Sequence, residues 1–280
     1  MIRLVASDLD GTALRTWPQE PQVSDRLVDA VAAVRAAGIP FVVVTGRSRR
    51  SATKVARRIG ADRLICSNGA LVWDLDAGVV ERHRSFDATV AHAIAGRLRE
   101  VAPDVAFSWE AHDGFGWEAE FDARWGGPRR DWPRIDAGPI EDRCQGPIVK
   151  LIASLHGDRA EEQRLFDELV ADLPGIVGED ALFTTAGGAW IEIGPPGVTK
   201  AVTLAEVADE LGVGAAEVVA FGDGPNDVAM LEWAGRGIAM ANAAPEVKAV
   251  ADEVTSSNDD DGVAVVLEAL ASDASARPLG

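Results

Sequence analysis

Apolar residues along this chain follow two rhythms, and the change from one to the other divides it into three stretches. Ile2 to Ser7 is a nearly continuous apolar run, which reads as a strand covered on both faces. Ser24 then offers an N-cap to a helix carrying Leu27, Val28, Val31 and Val34 at helical spacing, with Gly38 as its stop. Ile-Pro-Phe-Val-Val-Val-Thr (39–45) is a second buried strand, 48–59 a basic helix, and 63–68 a third strand. This β-α-β-α-β order implies a parallel sheet with helices on its faces.

From about residue 71 the rhythm becomes alternating. The pattern predicts a hairpin over 70–84 turning near Asp76-Ala77-Gly78, a helix at about 87–102, and strands at 105–111 and 116–121. A stretch rich in Gly, Pro, Arg and Trp (126–139) follows, then a strand at 147–155, a helix at 159–173 and two short strands within 181–193. This block is mixed and mostly antiparallel in character. The first rhythm returns with a helix at 198–211, a strand at 217–223, a helix at 226–234, a strand at 237–242, a helix from Pro245 and a last helix at 262–271. The expected fold is α/β: a Rossmann-like, doubly wound parallel-sheet core from 1–83 and 188–280, interrupted by an inserted α+β module over 84–187. The crossings fall near 82–86 and 186–190, and Gly187 and Gly188 in the second can absorb backbone rotation, so the insert is expected to act as a hinged lid.

Composition narrows the function. The 280 residues are 47% hydrophobic and 26% charged, an ordinary globular balance. A formal net charge of −18 argues against nucleic acid or an anionic membrane as partner, since both need a basic footprint. The two cysteines, Cys66 and Cys144, match no metal motif and make no disulfide scaffold, which fits free thiols in a reducing compartment. No basic stretch followed by a long apolar one opens the chain, and no apolar run approaches the length of a membrane span, so a cytoplasmic protein is expected.

Four polar clusters lie where ligands bind in open α/β sheets, beyond the carboxyl ends of core strands or at helix starts. Asp8 and Asp10 follow the first strand, Thr45-Gly46-Arg47 the second, and Gly222-Asp-Gly-Pro-Asn-Asp227 a later one, while Lys200 opens a helix. A carboxylate is a competent nucleophile for a phosphoryl group. Residues i and i+2 share a strand face, so Asp8 and Asp10 can reach one pocket, one attacking while the other moves the proton. With Asp223 and Asp227 the crevice holds four acids, which needs a cation, and hard oxygen ligands suit Mg²⁺. Gly11 and Gly46 allow backbone N–H groups close to an anionic oxygen, and Thr45 and Lys200 offer a hydroxyl and a cation to phosphoryl oxygens.

Asp-Leu-Asp-Gly-Thr (8–12), Val-Val-Val-Thr-Gly-Arg-Ser (42–48), the Lys of Gly-Pro-Pro-Gly-Val-Thr-Lys (194–200) and Phe-Gly-Asp-Gly-Pro-Asn-Asp (221–227) resemble the four motifs of the haloacid dehalogenase (HAD) superfamily. Their order and spacing are similar to the Cof-type subfamily, with a large (type C2) cap between the second and third motifs, as is Cys66-Ser-Asn-Gly-Ala-Leu-Val-Trp-Asp74. The resemblance implies that Asp8 is the nucleophile and Asp10 the general acid/base. It also implies that Mg²⁺ is held by Asp8, the main-chain carbonyl of Asp10, and Asp223. Thr45 and Lys200 would bind phosphate, and Asn226 and Asp227 would support the metal and phosphate side. The activity implied is a phosphatase of small phosphorylated metabolites, sugar phosphates first, acting through an aspartyl-phosphate. The alternatives are a phosphomutase of the same superfamily or a catalytically silent binding module. A monomer and a dimer both remain open.

Other readings carry less. The 222–227 loop lacks the ligand spacing of a calcium hand, and 194–200 lacks the order of a P-loop. His83, His92, His112 and His156 form no metal-binding pair. Trp109, Trp117, Trp125 and Trp132 all fall in the insert, where they either fill its core or offer flat faces to a ring substrate, and Arg129 and Arg130 either greet an anion or sit in solvent.

Overall fold

A computed structural model describes residues 1–15, 22–111, 114–121, 134–155, 159–185 and 190–275. The strands in chain order are β1 (Leu4–Ser7), β2 (Phe41–Val44), β3 (Arg63–Cys66), β4 (Leu71–Asp74), β5 (Val79–His83), β6 (Ala106–Glu110), β7 (Phe115–Trp117), β8 (Arg134–Ala137), β9 (Lys150–Ser154), β10 (Leu182–Thr185), β11 (Trp190–Gly194), β12 (Val218–Gly222), β13 (Arg236–Ala239) and β14 (Glu253–Val254). They form an eight-stranded sheet, ordered β14-β13-β12-β1-β2-β3-β4-β5, and a six-stranded sheet, ordered β10-β11-β9-β6-β7-β8.

The chain divides into two compact units, 1–82 with 199–280, and 83–198. In the first, the pairings from β14 through to β3 are parallel, and β4 turns back antiparallel on β3. β1, β2 and β12 are buried along their whole length, as uninterrupted Val, Ala and Phe demand when both faces are covered. Two apolar clusters flank the sheet. Val5, Val43, Val219 and Phe221 point to one side with Val31 and Ile59, and Leu4, Ala6, Val42 and Val218 point to the other with Leu204 and Val207. The helix Asp25–Ala36 begins where expected, Ser24 accepting a hydrogen bond from the Leu27 N–H at 3.0 Å.

The second unit is antiparallel except between β7 and β8. It extends to Val198, beyond the boundary at 187 expected from the pattern, because β11 pairs with β9 and β10 and so belongs to the six-stranded sheet. The strand expected over 116–121 is only Phe115–Trp117, after which 119–121 wind helically. Trp109 and Trp117 are both buried. Trp109 packs among the helix-covered apolar side chains, and Trp117 joins Phe121 and Ile152 on the opposite side of the sheet. Gly116 faces Trp109 across the ladder, and a Cβ there would lie 2.2 Å from the indole ring, so no larger residue fits. Trp125, Trp132, Arg129, Arg130, His112, His156, Gly187 and Gly188 lie outside the described residues.

Candidate functional site

Strand order places the clusters together. β12, β1 and β2 are neighbours running the same way, so the residues that follow them gather at one edge of the sheet. Asp8 comes directly after β1, its N–H donating to the carbonyl of Phe221 at 3.0 Å, which ties the turn to β12. Lys200 is the first residue of the helix Lys200–Glu210, whose N-cap is Thr199. That helix start is locked by the 67–70 turn: Thr203 Oγ1 donates to the Gly69 carbonyl at 2.9 Å. Gly69 has φ +105°, and a Cβ on it would stand 2.4 Å from the Thr199 carbonyl oxygen, so only glycine allows the approach.

The buried centre is an ion-pair triad. Lys200 Nζ donates to Asp8 Oδ1 at 2.8 Å and to Asp227 Oδ1 at 2.7 Å, and all three residues are buried. The other oxygen of Asp227 accepts from the backbone N–H groups of Asp223 and Gly224 at 3.1 and 3.0 Å, so this carboxylate shapes the loop as well as holding Lys200. Asp223 Oδ1 accepts from Thr12 Oγ1 at 2.6 Å. Oxygen atoms of Asp8, Asp223 and Asp227 lie within 4.8 Å of one another. Gly11, with φ +75°, sits against Asp223, where a Cβ would come within 2.2 Å of the carboxylate. A flat, side-chain-free turn at Gly11 is therefore required for Asp223 to stand beside Asp8.

Charge and burial set the protonation states. Burial pushes the Asp8 carboxyl well above its ordinary range, with the charge of Asp227 adding to the effect and Lys200 opposing it. Burial alone would lower Lys200, but Asp227 and Asp8 outweigh it and hold the ammonium charged. Asp223 is raised to about 6, chiefly by burial, with the Thr12 hydrogen bond pulling the other way.

Asp10 is placed differently from the expectation of two carboxylates on one strand face. β1 ends at Ser7, so the two-residue alternation stops before either aspartate. The Asp10 carboxylate is half exposed and lies on the Arg47 guanidinium, with Nε to Oδ2 at 2.6 Å and Nη2 to Oδ1 at 2.5 Å. It is not among the three clustered carboxylates. Thr45 is buried, and its hydroxyl oxygen accepts from the Arg47 N–H at 3.1 Å. Gly46 lies between them in the loop after β2. Asn226 Nδ2 donates to Asn68 Oδ1 at 3.1 Å. Asn68 holds φ +56° and follows Ser67 at φ +50°, a left-handed pair of non-glycine residues at the mouth of this turn.

Three residues here had no role assigned from sequence: Thr12, Arg47 and Asn68. Each stands inside or next to a motif, and the signal available for Arg47 was its charge beside an acid-rich site. Four carboxylates against the two cations Lys200 and Arg47 leave a surplus of two negative charges when all are ionised. One divalent cation balances that surplus, and an all-oxygen donor set suits a hard one. The residues present therefore fit such an ion, held by Asp8 and Asp223 with Asp227 beside them.

The sequence pattern of the haloacid dehalogenase-like hydrolases matches residues 5–267. Among curated relatives, the 5-amino-6-(5-phospho-D-ribitylamino)uracil phosphatase YcsE of Bacillus subtilis is 28% identical over 94% of this chain and 93% of its own length. The putative phosphatase YxeH of the same organism is 27% identical over 96% of this chain and 98% of its own. Among solved structures, the phosphatase BT1666 of Bacteroides thetaiotaomicron superposes with a TM-score of 0.76 at 27% identity, covering 96% of this chain and 95% of that one.

Proposed function

The chain belongs to the haloacid dehalogenase-like hydrolases, the family its four motifs resemble, and on that premise we propose that it is a Mg²⁺-dependent phosphatase of small phosphorylated metabolites, sugar phosphates among them. The observation that carries this reading is the buried Asp8–Lys200–Asp227 triad with Asp223 alongside. Asp8 is the nucleophile. Its oxygen attacks phosphorus, the ester bond breaks, and an aspartyl-phosphate forms on Asp8. Asp10 gives its proton to the leaving alkoxide, then takes one from the water that cleaves the acyl phosphate. Lys200 and the hydroxyl of Thr45 stabilise charge on the transferring phosphoryl oxygens, and the N–H groups around Gly11 and Gly46 line the same anion site. Asn226 and Asp227 hold the loop that carries Asp223. Asp8, the Asp10 carbonyl and Asp223 are the residues that would hold a Mg²⁺, which would supply charge neutralisation when bound.

Phosphatases named for a ribitylamino-uracil phosphate and for sugar phosphates lie among the relatives and structural neighbours, which supports a small phosphomonoester as substrate. The second unit, which falls between the second and third motifs, is proposed to select among such esters.

The test is inorganic phosphate release from a broad panel of phosphate esters, with and without Mg²⁺. Release should need the metal, stop in excess EDTA and return on adding Mg²⁺, while Ca²⁺ should bind but support little turnover because its looser coordination spoils in-line geometry. Asp8→Asn should lower turnover by about 10³-fold or more with the fold retained. Net phosphate release separates a phosphatase from a phosphomutase, and full activity in EDTA sinks the metal-dependent mechanism.

A further inference from the structure

The Arg47–Asp10 pair has no role in the motif reading, yet it fixes the one catalytic carboxylate that stands outside the buried triad. Asp10 is half exposed, and an exposed carboxylate on a turn ordinarily samples several rotamers. Here both of its oxygens are engaged by one planar guanidinium, the two-point geometry that sets orientation as well as position. The guanidinium is in turn carried on a rigid base. The Arg47 N–H donates to Thr45 Oγ1 at 3.1 Å, and its carbonyl accepts from the Ser67 N–H at 2.9 Å, so the backbone on both sides of its side chain is pinned. The pair thus links the loop after β2 to the turn after β1 at the reacting centre.

In the mechanism above, Asp10 acts on the attacking water in the second half-reaction, where its position relative to that water matters. Water oxygen bonds to phosphorus, the bond from phosphorus to the Asp8 oxygen breaks, the Asp8 carboxylate is restored, and the water proton passes to Asp10. We infer that Arg47 is a positioning residue for Asp10 in hydrolysis of the aspartyl-phosphate, holding the carboxylate where it meets the attacking water. This rests on the phosphatase reading. Arg47 does not need to touch the substrate for it. With an ester whose leaving group needs no proton, the first half-reaction makes no demand on Asp10, so the effect of Arg47 falls on the second.

The two half-reactions are separable with p-nitrophenyl phosphate, whose phenolate leaves without a proton. kcat/KM then reports steps through transfer to Asp8, and kcat includes hydrolysis of the intermediate. Wild-type phosphate release is measured first. If it is absent with every ester, the phosphatase reading fails before the inference is reached. With wild type active, Arg47→Ala and Arg47→Lys are compared by rapid mixing. Arg47→Ala should lower kcat by about 10- to 100-fold, the scale of a misplaced general base, while kcat/KM falls by a much smaller factor. A burst approaching one nitrophenolate per enzyme should precede the slow steady state. Guanidinium added to the buffer should recover part of kcat in Arg47→Ala. Arg47→Lys, which keeps the charge and fills most of the space but gives a single contact point, should show the same burst with a smaller loss. Equal falls in kcat and kcat/KM without a burst, in both variants, would overturn the inference by assigning Arg47 to phosphate binding or to loop structure. So would an unchanged kcat.

Discussion

At Asp223, burial and a hydrogen bond act in opposite directions, and burial prevails: the carboxyl rises from 3.8 to about 6 despite the bond from Thr12. A raised acid favours folding at low pH. Below about pH 4 both folded and unfolded chains hold the proton and nothing is lost. As pH rises to 6 the unfolded chain ionises first, the folded chain resists, and stability falls until the folded group also ionises. Without metal, Asp223→Asn removes that loss, since an amide oxygen still accepts from Thr12. The variant should match wild type near pH 4 and exceed it by about 1 kcal/mol near pH 7.5, a figure discounted for partial exposure of the carboxylate. Urea unfolding in EDTA at the two pH values measures this, and a gap that does not change with pH counts against the assigned cause. Added Mg²⁺ should stabilise wild type more than the variant. The need for a cation near Asp8 was readable from the crowding of acids in the sequence, and Lys200 was identified as one. That Asp10 would turn to Arg47 was not readable, because it depends on where β1 stops and on a turn at Gly11, neither of which alternation reports.

Between elements, the contact that sets Lys200 is backbone against backbone. The 67–70 turn presses on the start of the helix Lys200–Glu210 through Gly69, and Thr203 closes the contact. Gly69→Ala brings two penalties, a side chain at φ +105° and a Cβ 2.4 Å from the Thr199 oxygen. Gly38, which ends the helix Asp25–Ala36 at φ +81°, has open space around it and bears only the first. Gly38→Ala should therefore cost about 1 kcal/mol and Gly69→Ala about 2 to 4 kcal/mol, read from denaturant midpoints. Gly69→Ala should also reduce turnover, because the helix that carries Lys200 must shift. Equal costs at the two sites would mean that the Thr199 contact yields without strain. At this scale the pattern was informative where burial is two-sided, as in β1, β2 and β12, whose uniform apolar runs can be little else. It failed at β7, where Trp117 and Phe121 look like alternating strand positions. Both are buried, but the chain has already left the sheet between them. It also stopped the insert too early: the apolar run of β11 names a strand without saying which sheet it joins.

On the scale of the whole chain, the proposed division of labour follows from where the clustered carboxylates lie. Every residue of the triad, with Asp10, Thr45, Arg47 and Asp223, belongs to the unit formed by 1–82 and 199–280. The unit formed by 83–198 has its own sheet and apolar clusters, so substitutions on it can be made without disturbing the carboxylate cluster. Under the proposed function, phosphoryl transfer to Asp8 does not depend on what the phosphate is attached to, so recognition of the remainder is assigned to other residues. The second unit is the only other compact body among the described residues. Phe115 and Trp190 are partly buried aromatics packed against the Trp117 cluster, and under the proposed function they are the positions on which selection of a ring-shaped leaving group is tested. Phe115→Ala and Trp190→Ala should alter KM and the ranking of esters by about 10-fold between best and worst cases, and leave the Mg²⁺ concentration for half-maximal activity unchanged. The measurement is a panel of esters on each variant, with p-nitrophenyl phosphate as the undemanding reference. A variant that rescales every ester, the reference included, by one common factor has lost general competence and not selectivity. Were both variants to behave so, substrate choice would have to be sought in the loops after β1, β2 and β12, of which the first and last carry the clustered carboxylates.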